Sequence, residues 1–187
     1  MGLTGDEDAV EFRQMLNGPD GYAYIYEKVL SLDKDGTGIT LDHRLKNTGQ
    51  KTIDTKVYDH DFFMFDGQPT GPGMVVRFPF TPEPVDPLDP AVRIQGKEIT
   101  FITAIGPRQT VSGYITGFSA KASDYDFIVE DINRKIGVEQ TLDTPLSRIY
   151  FWSNNRVICP EAYIHVGVAP GKTGHLKIHY RFFTPQA

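Results

Sequence analysis

Cysteine, clustered basic residues and long apolar runs are all scarce in this 187-residue chain. The one cysteine, Cys159, excludes an internal disulfide. A net charge of −5 without a basic run makes nucleic acid and anionic membrane surfaces poor partners. No apolar run approaches the roughly 20 residues that a membrane span needs. The acidic start, "MGLTGDEDAVEF", has no apolar signal segment, so we expect a cytoplasmic location by default.

Helical periodicity is also lacking, since no window longer than about two turns shows it. Apolar and aromatic residues instead alternate with polar ones, as in "GYAYIYEKVLSL" and "GITLDHRLKN". Glycine and proline interrupt these stretches every ~8–14 residues, the spacing of strands in a sandwich or barrel. The sequence therefore predicts an all-β, antiparallel β-sandwich that forms a single domain over residues 1–187.

Two stretches of alternating residues, 38–47 and 52–65, are joined by "NTGQK" and predict a long hairpin. "APGKTG" (169–174) lacks the full phosphate-loop spacing and predicts a hairpin turn. Residues 79–90 hold five prolines, which predicts an extended loop, either a connector or a rim over a cleft. Later strands are predicted at 74–80, 98–105, 109–119, 125–131, 135–142, 147–154, 156–168 and 174–183.

The stretch "VYDHDFF" (57–63) reads as a strand but places Asp-His-Asp at its centre. Because successive side chains of a strand point to opposite faces, we expect Tyr58, His60 and Phe62 on one face. Asp59 and Asp61 then lie on the other face. The three titratable groups are therefore predicted not to form one cluster.

Metal binding and nucleophilic catalysis are not predicted. His60 would face away from both neighbouring aspartates, and His175 and His179, four apart on a strand, would lie ~13 Å apart. That separation is too large for one zinc ion with bonds of about 2 Å. Cys159 has the surroundings of a buried strand residue, and no Gly-x-Ser-x-Gly elbow is present.

General acid–base chemistry is the remaining option, and it needs one group that gives a proton and one that takes it. Histidine titrates near neutrality, which favours His60. Glu161 follows Pro160 in an otherwise apolar strand, where a glutamate is rarely buried without a reason. The alternatives are a partly buried histidine with satisfied hydrogen bonds and a carboxylate that serves a salt bridge or a strand edge.

The segment "LDHRLKNTGQKTIDTKVYDHDFFMFDG" (41–67) resembles the central hairpin of the galactose mutarotase-like proteins, the aldose 1-epimerase superfamily. The matching elements are "LKNTG", a threonine in mid-strand and Tyr-x-His-x-Phe-Phe. "VICPEAYI" and "PGKTGHLKIHYRF" resemble the last strands of that family. The resemblance implies a β-supersandwich, with His60 as catalytic acid and Glu161 as catalytic base for the interconversion of sugar anomers.

The family chemistry needs no cofactor, and a mono- or oligosaccharide is the implied partner. Tyr58, Phe62 and Trp152 are then candidates to wall the sugar, and Arg148 and Arg156 to bind its hydroxyls. A second family histidine and a substrate-binding arginine precede this region and have no counterpart here. The resemblance therefore implies an incomplete sandwich. The alternatives are a truncated gene product, a separately produced half, and a domain that is completed by a second copy or a partner chain. A non-catalytic carbohydrate-binding or accessory subunit is the alternative.

Overall fold

A computed structural model describes residues 2–6 and 8–184 of the chain. Regular structure in this part consists of antiparallel strands and two short 3₁₀ helices, Pro19–Gly21 and Ala122–Tyr125. The fold is therefore all-β, as the sequence predicts. The chain divides into two compact units, the first made of Met1–Val57 and His165–Arg181, the second of Tyr58–Ile164 and Phe182–Ala187. The single-domain prediction remains a prediction.

The first unit contains an antiparallel run of strands in the order β1, β2, β3, β4 and β15. The register pairs Tyr26 with Leu45 on β3 and β4, and His43 with Leu176 on β4 and β15. The strands of this unit are β1 Gly2–Asp6, β2 Ala9–Asn17, β3 Ala23–Leu32, β4 Gly38–Asn47, β5 Ile53–Val57 and most of β15 Thr173–Phe183.

The second unit contains two antiparallel sheets, ordered β12-β11-β6-β9-β8 and β14-β13-β10-β7. Its core is made of fully buried side chains such as Val76, Ile99, Val111 and Phe151. The strands are β6 Met74–Arg77, β7 Glu83–Pro84, β8 Val92–Gln95, β9 Glu98–Phe101, β10 Thr110–Thr116, β11 Phe127–Asp131, β12 Ile136–Leu142, β13 Leu146–Asn154 and β14 Ile158–Val168, whose last residues belong to the first unit.

Every one of the eight later windows predicted as strand contains one, from β6 to β15. The Pro-rich stretch 79–90 is mostly irregular, as predicted, but includes the two-residue strand β7. Pro84 is tolerated there because β7 lies at the edge of its sheet, where a missing N–H breaks no ladder. No helix among the described residues is long and apolar enough to span a membrane.

The predicted long hairpin of 38–47 and 52–65 is wrong, because β4 pairs with β3 and β15. The buried side chain of Asn47 organises this connection. Its Nδ2 donates to the carbonyls of Lys51 and Val168, both at 2.8 Å, and its Oδ1 accepts from the Gly49 N–H at 3.0 Å. The asparagine thus ties the turn into β5 to the end of β14.

"APGKTG" does form a turn, with the Lys172 N–H donating to the Ala169 carbonyl at 3.0 Å. It is not a hairpin turn, since β14 pairs with β13 while β15 pairs with β4. Alternation of side chains identifies strands and turns, but it carries no information on which strands pair.

Candidate functional site

The floor of the candidate site is strand β14, which presents Cys159, Glu161 and Tyr163 on one face. These residues are two apart, and side chains two apart on a strand share a face. The register with β13 places Tyr150 opposite Glu161 and Trp152 opposite Cys159. The site is therefore built on two paired strands of the second unit.

His60 does not lie on a strand, contrary to the prediction for residues 57–63. β5 ends at Val57, and pairing resumes only at Phe63, which exchanges two backbone hydrogen bonds of 3.0 Å with Ile158. Pro160 is two residues after Ile158, and backbone groups two residues apart on a strand point to the same edge. The backbone nitrogen of Pro160 therefore faces the segment that precedes Phe63. Proline has no N–H to donate, and the ladder stops there. Residues 58–62 consequently leave the strand path.

His60 and Glu161 meet directly, with 3.2 Å between Nε2 and Oε1. Their surroundings differ, because the His60 side chain is 45% exposed and that of Glu161 only 9%. The pair thus combines a buried carboxylate on a rigid strand with an accessible imidazole on an irregular segment. The two residues that the sequence singled out for acid–base chemistry are brought together.

Aromatic rings surround the imidazole of His60. The ring centroids of Phe62, Tyr58 and Trp152 lie 4.4, 5.6 and 6.5 Å from that of His60. Phe62 and Trp152 also contact each other edge-on at 5.9 Å. The grouping of Tyr58, His60 and Phe62 is therefore retained, although it arises from an irregular segment rather than from strand alternation.

Tyr163 is a site residue that the sequence argument missed. Its hydroxyl donates to Glu161 Oε2 at 3.0 Å, and its ring stacks on Tyr58 at 4.1 Å. Burial, together with hydrogen bonds to Tyr58 and Glu161, raises the pKa of Tyr163 well above its ordinary value. The phenol stays protonated as a donor that fixes the carboxylate. The sequence position of Tyr163, two residues after Glu161 on the same strand, could have indicated that the two side chains share a face.

Arg148 borders the site through its contact with Tyr163. Its guanidinium carbon lies 5.1 Å from the ring centroid of Tyr163 and 5.6 Å from that of Tyr114. Arg148 thus links the site to an open depression of about 390 Å³ lined by Tyr114, Ile115, Thr116, Phe118, Ser147, Arg148 and Ile149. Arg156 lies in the exposed turn between β13 and β14, five residues from Glu161, and its predicted role remains a prediction.

The aspartates beside His60 have a different neighbour. Burial and the negative charges of Asp59 and Asp61 raise the pKa of the buried Tyr125. Both carboxylates are thus close enough to Tyr125 to affect its ionisation, and Asp61 also affects Cys159. The predicted separation of Asp59 and Asp61 from the aromatic face of His60 remains a prediction.

Cys159 lies closer to the acid–base pair than the sequence argument allowed. One ligand atom from each of His60, Cys159 and Glu161 falls within 4.8 Å of the other two. Burial and the charges of Glu161 and Asp61 raise the pKa of the Cys159 thiol, which keeps the thiol protonated. Cys159 is therefore no nucleophile in this state.

Solved structures with a similar fold include three from different organisms. A Synechocystis protein matches with a TM-score of 0.67 and 12% identity, a candidate aldose 1-epimerase from Escherichia coli K12 with 0.72 and 12%, and an aldose epimerase homologue from C. elegans with 0.68 and 11%. The matches cover 98%, 97% and 99% of this chain. The chain has the galactose mutarotase-like fold. At such identities the likeness concerns the fold alone.

This mutarotase-like chain spans 65%, 67% and 69% of the lengths of those three chains. No protein-family model matches the sequence, and no curated protein matches it significantly.

Proposed function

We propose that this galactose mutarotase-like chain is an isomerase of the aldose 1-epimerase type, which interconverts the anomers of a free sugar. The observation that carries the proposal is the 3.2 Å contact between His60 Nε2 and Glu161 Oε1, with the aromatic rings of Phe62 and Trp152 around His60. Acid–base ring opening needs a proton donor and a proton acceptor on neighbouring oxygens of one sugar. Aromatic rings supply flat apolar surface for the sugar to stack on.

The two residues take different roles because they are held differently. Glu161 is buried and fixed by strand β14 and by the hydroxyl of Tyr163, so it is the positioned base. His60 is accessible and lies outside regular structure, so its imidazole can turn away from Glu161 when a sugar enters. The sugar then takes the place of the direct contact between the two side chains.

The reaction balances without a cofactor. Glu161 accepts the proton of the C1 hydroxyl while His60 gives a proton to the ring oxygen. The bond between C1 and the ring oxygen breaks, and a carbonyl forms at C1. After rotation of the carbonyl end, the ring closes on its other face and both protons return.

Anomer exchange measured by NMR tests this proposal. Freshly dissolved α-glucose and α-galactose should equilibrate faster with the protein than without it. His60→Ala and Glu161→Ala should each lower the catalysed rate by roughly 10²- to 10⁴-fold, the usual range for general acid–base groups. Unchanged rates in either variant would show that the residue has no part in the reaction.

His165→Ala provides the matched control. His165 Nε2 also contacts a carboxylate, Asp54 Oδ1 at 2.7 Å, but both side chains are exposed and belong to the first unit. We expect this variant to retain the full rate. A loss equal to that of His60→Ala would point to a general effect of removing a paired histidine.

A sugar-binding role without catalysis is the second candidate, and the exposed aromatic surface favours it. Phe62 is 54% exposed beside Trp152, the one tryptophan of the chain. Sugar binding should change Trp152 fluorescence, and Phe62→Ala should weaken that response through lost stacking. Binding without faster anomer exchange would favour the binder, whereas an unaltered spectrum at high sugar concentration would contradict both candidates.

A further inference from the structure

The acid–base pair has a third neighbour with different chemistry, the thiol of Cys159. The three ligand atoms offered by His60, Cys159 and Glu161 all lie within 4.8 Å of one another. Two of them come from one face of β14, and the third comes from the irregular segment that carries His60. An imidazole, a thiol and a carboxylate that converge in this way form a mixed nitrogen, sulfur and oxygen donor set.

We propose that His60, Cys159 and Glu161 form a binding site for a thiophilic divalent transition-metal ion, with Zn²⁺ as the type. Sulfur and imidazole donors together select zinc and similar ions over magnesium and calcium. Three protein ligands with an open fourth position are the usual arrangement of an accessible zinc site.

The distances fit such an ion after a small adjustment. Zinc bonds of about 2.0–2.3 Å at tetrahedral angles separate ligand atoms by roughly 3.3–3.8 Å. The His60–Glu161 separation of 3.2 Å already meets this requirement. From the 4.8 Å limit, the thiol and the other two ligand atoms must approach each other by at most about 1.5 Å. The accessible imidazole of His60 and the rotatable side chains of Cys159 and Glu161 can share this adjustment.

The surroundings supply further features of a metal site. The Tyr163 hydroxyl binds the second carboxylate oxygen of Glu161, the kind of contact that orients carboxylate ligands. The negative charges of Glu161 and Asp61, which disfavour a bare thiolate at Cys159, favour a cation there. On binding, the Cys159 proton leaves to solvent, the thiolate binds the ion, and His60 coordinates through the lone pair of neutral Nε2.

Metal binding would inhibit the acid–base pair, because the ion would occupy His60 Nε2 and a carboxylate oxygen of Glu161, the atoms that give and accept the protons. The site itself does not depend on the proposed sugar chemistry. Its binding test therefore succeeds or fails separately from the anomer-exchange test.

Titration of the full chain with Co²⁺, followed by competition with Zn²⁺, is the decisive experiment. Cobalt bound to a thiolate gives a charge-transfer absorption in the near ultraviolet. We expect this band to saturate at one ion per chain and to vanish when Zn²⁺ displaces the cobalt. A chain that binds no cobalt, or binds it without the thiolate band, would overturn the proposal.

Variants separate this site from surface histidines. Cys159→Ala should remove the band. His60→Ala changes an exposed position, so the variant should still fold. It should weaken the affinity for the ion by more than the roughly 10- to 100-fold that residues hydrogen-bonded to a metal ligand contribute. His175→Ala, which removes an exposed contact with Asp42, is the control and should leave affinity and band unchanged. If His175→Ala weakened binding and His60→Ala did not, the ion would lie elsewhere.

Discussion

At the scale of single residues, Glu161 and Asp42 both contact a histidine, but they differ in burial and in neighbouring charges. Glu161 is buried, and its second carboxylate oxygen accepts a hydrogen bond from the Tyr163 hydroxyl. Asp42 is 18% exposed and contacts His175 at 2.8 Å, with Arg44 and Lys177 also close. Asp42 therefore belongs to a surface charge network of the first unit.

The Asp42 network predicts a dependence of stability on pH. Burial opposes ionisation, but the hydrogen bond from His175 and the nearby positive charges outweigh it, so the pKa of Asp42 lies below its ordinary value. Because the pKa of Asp42 is lower in the folded state than in the unfolded state, its ionisation stabilises the fold above about pH 4. This contribution is lost as the pH falls through the folded-state pKa.

Asp42→Asn should accordingly cost about 0.5–1 kcal/mol of unfolding free energy at pH 6, the range for pairs near the surface. The difference from the parent chain should shrink towards zero as the pH falls through the folded-state pKa of Asp42, because both chains then lack the charge. Urea unfolding of both chains, at pH 6 and at successively lower pH, measures this difference in unfolding free energy. A difference that grew on acidification would show that the sign of the Asp42 contribution is wrong.

At the scale of elements, the sequence predicts strands well and their partners poorly. Alternation located β6 and β9 to β15, because buried strand faces demand apolar side chains at every second position, but it missed the short strands β7 and β8. It failed for residues 57–63, where the composition is that of a strand but Pro160 on the neighbouring strand removes the donor that pairing needs. The missing donor is a property of the neighbour, so residues 57–63 themselves do not reveal it.

Asn47 contributes to stability at the scale of elements. Its buried amide makes three hydrogen bonds that join the β4–β5 connection to the end of β14. Asn47→Ala should lower the unfolding free energy by about 2–4 kcal/mol, because it leaves the partner groups unpaired. Urea or thermal unfolding measures this loss.

Thr48→Ala is the control for Asn47, since Thr48 is exposed and contacts Ala23 through its backbone N–H, which the substitution retains. We expect a change within about 0.5 kcal/mol. Equal losses in the two variants would mean that the turn, rather than the buried amide, carries the stability.

At the scale of the whole molecule, the acid–base pair, the aromatic rings and Cys159 all lie in the second compact unit. The sequence identified His60 and Glu161, a hundred residues apart, because each is polar where its surroundings are apolar or aromatic. Tyr163 and Cys159 were missed because a tyrosine and a cysteine in an apolar strand look like core residues. The predicted second copy or partner chain that completes the sandwich remains a prediction.

The central claim is that His60 and Glu161 act as one acid–base unit, and a double-mutant cycle on anomer exchange tests it most directly. Rates are compared for the parent chain, His60→Ala, Glu161→Ala and the double variant. Residues that act as a unit are strongly non-additive, so the double variant should be no slower than the slower single variant, within about threefold. Losses that multiply across the two sites, or single variants as fast as the parent chain, would contradict the claim.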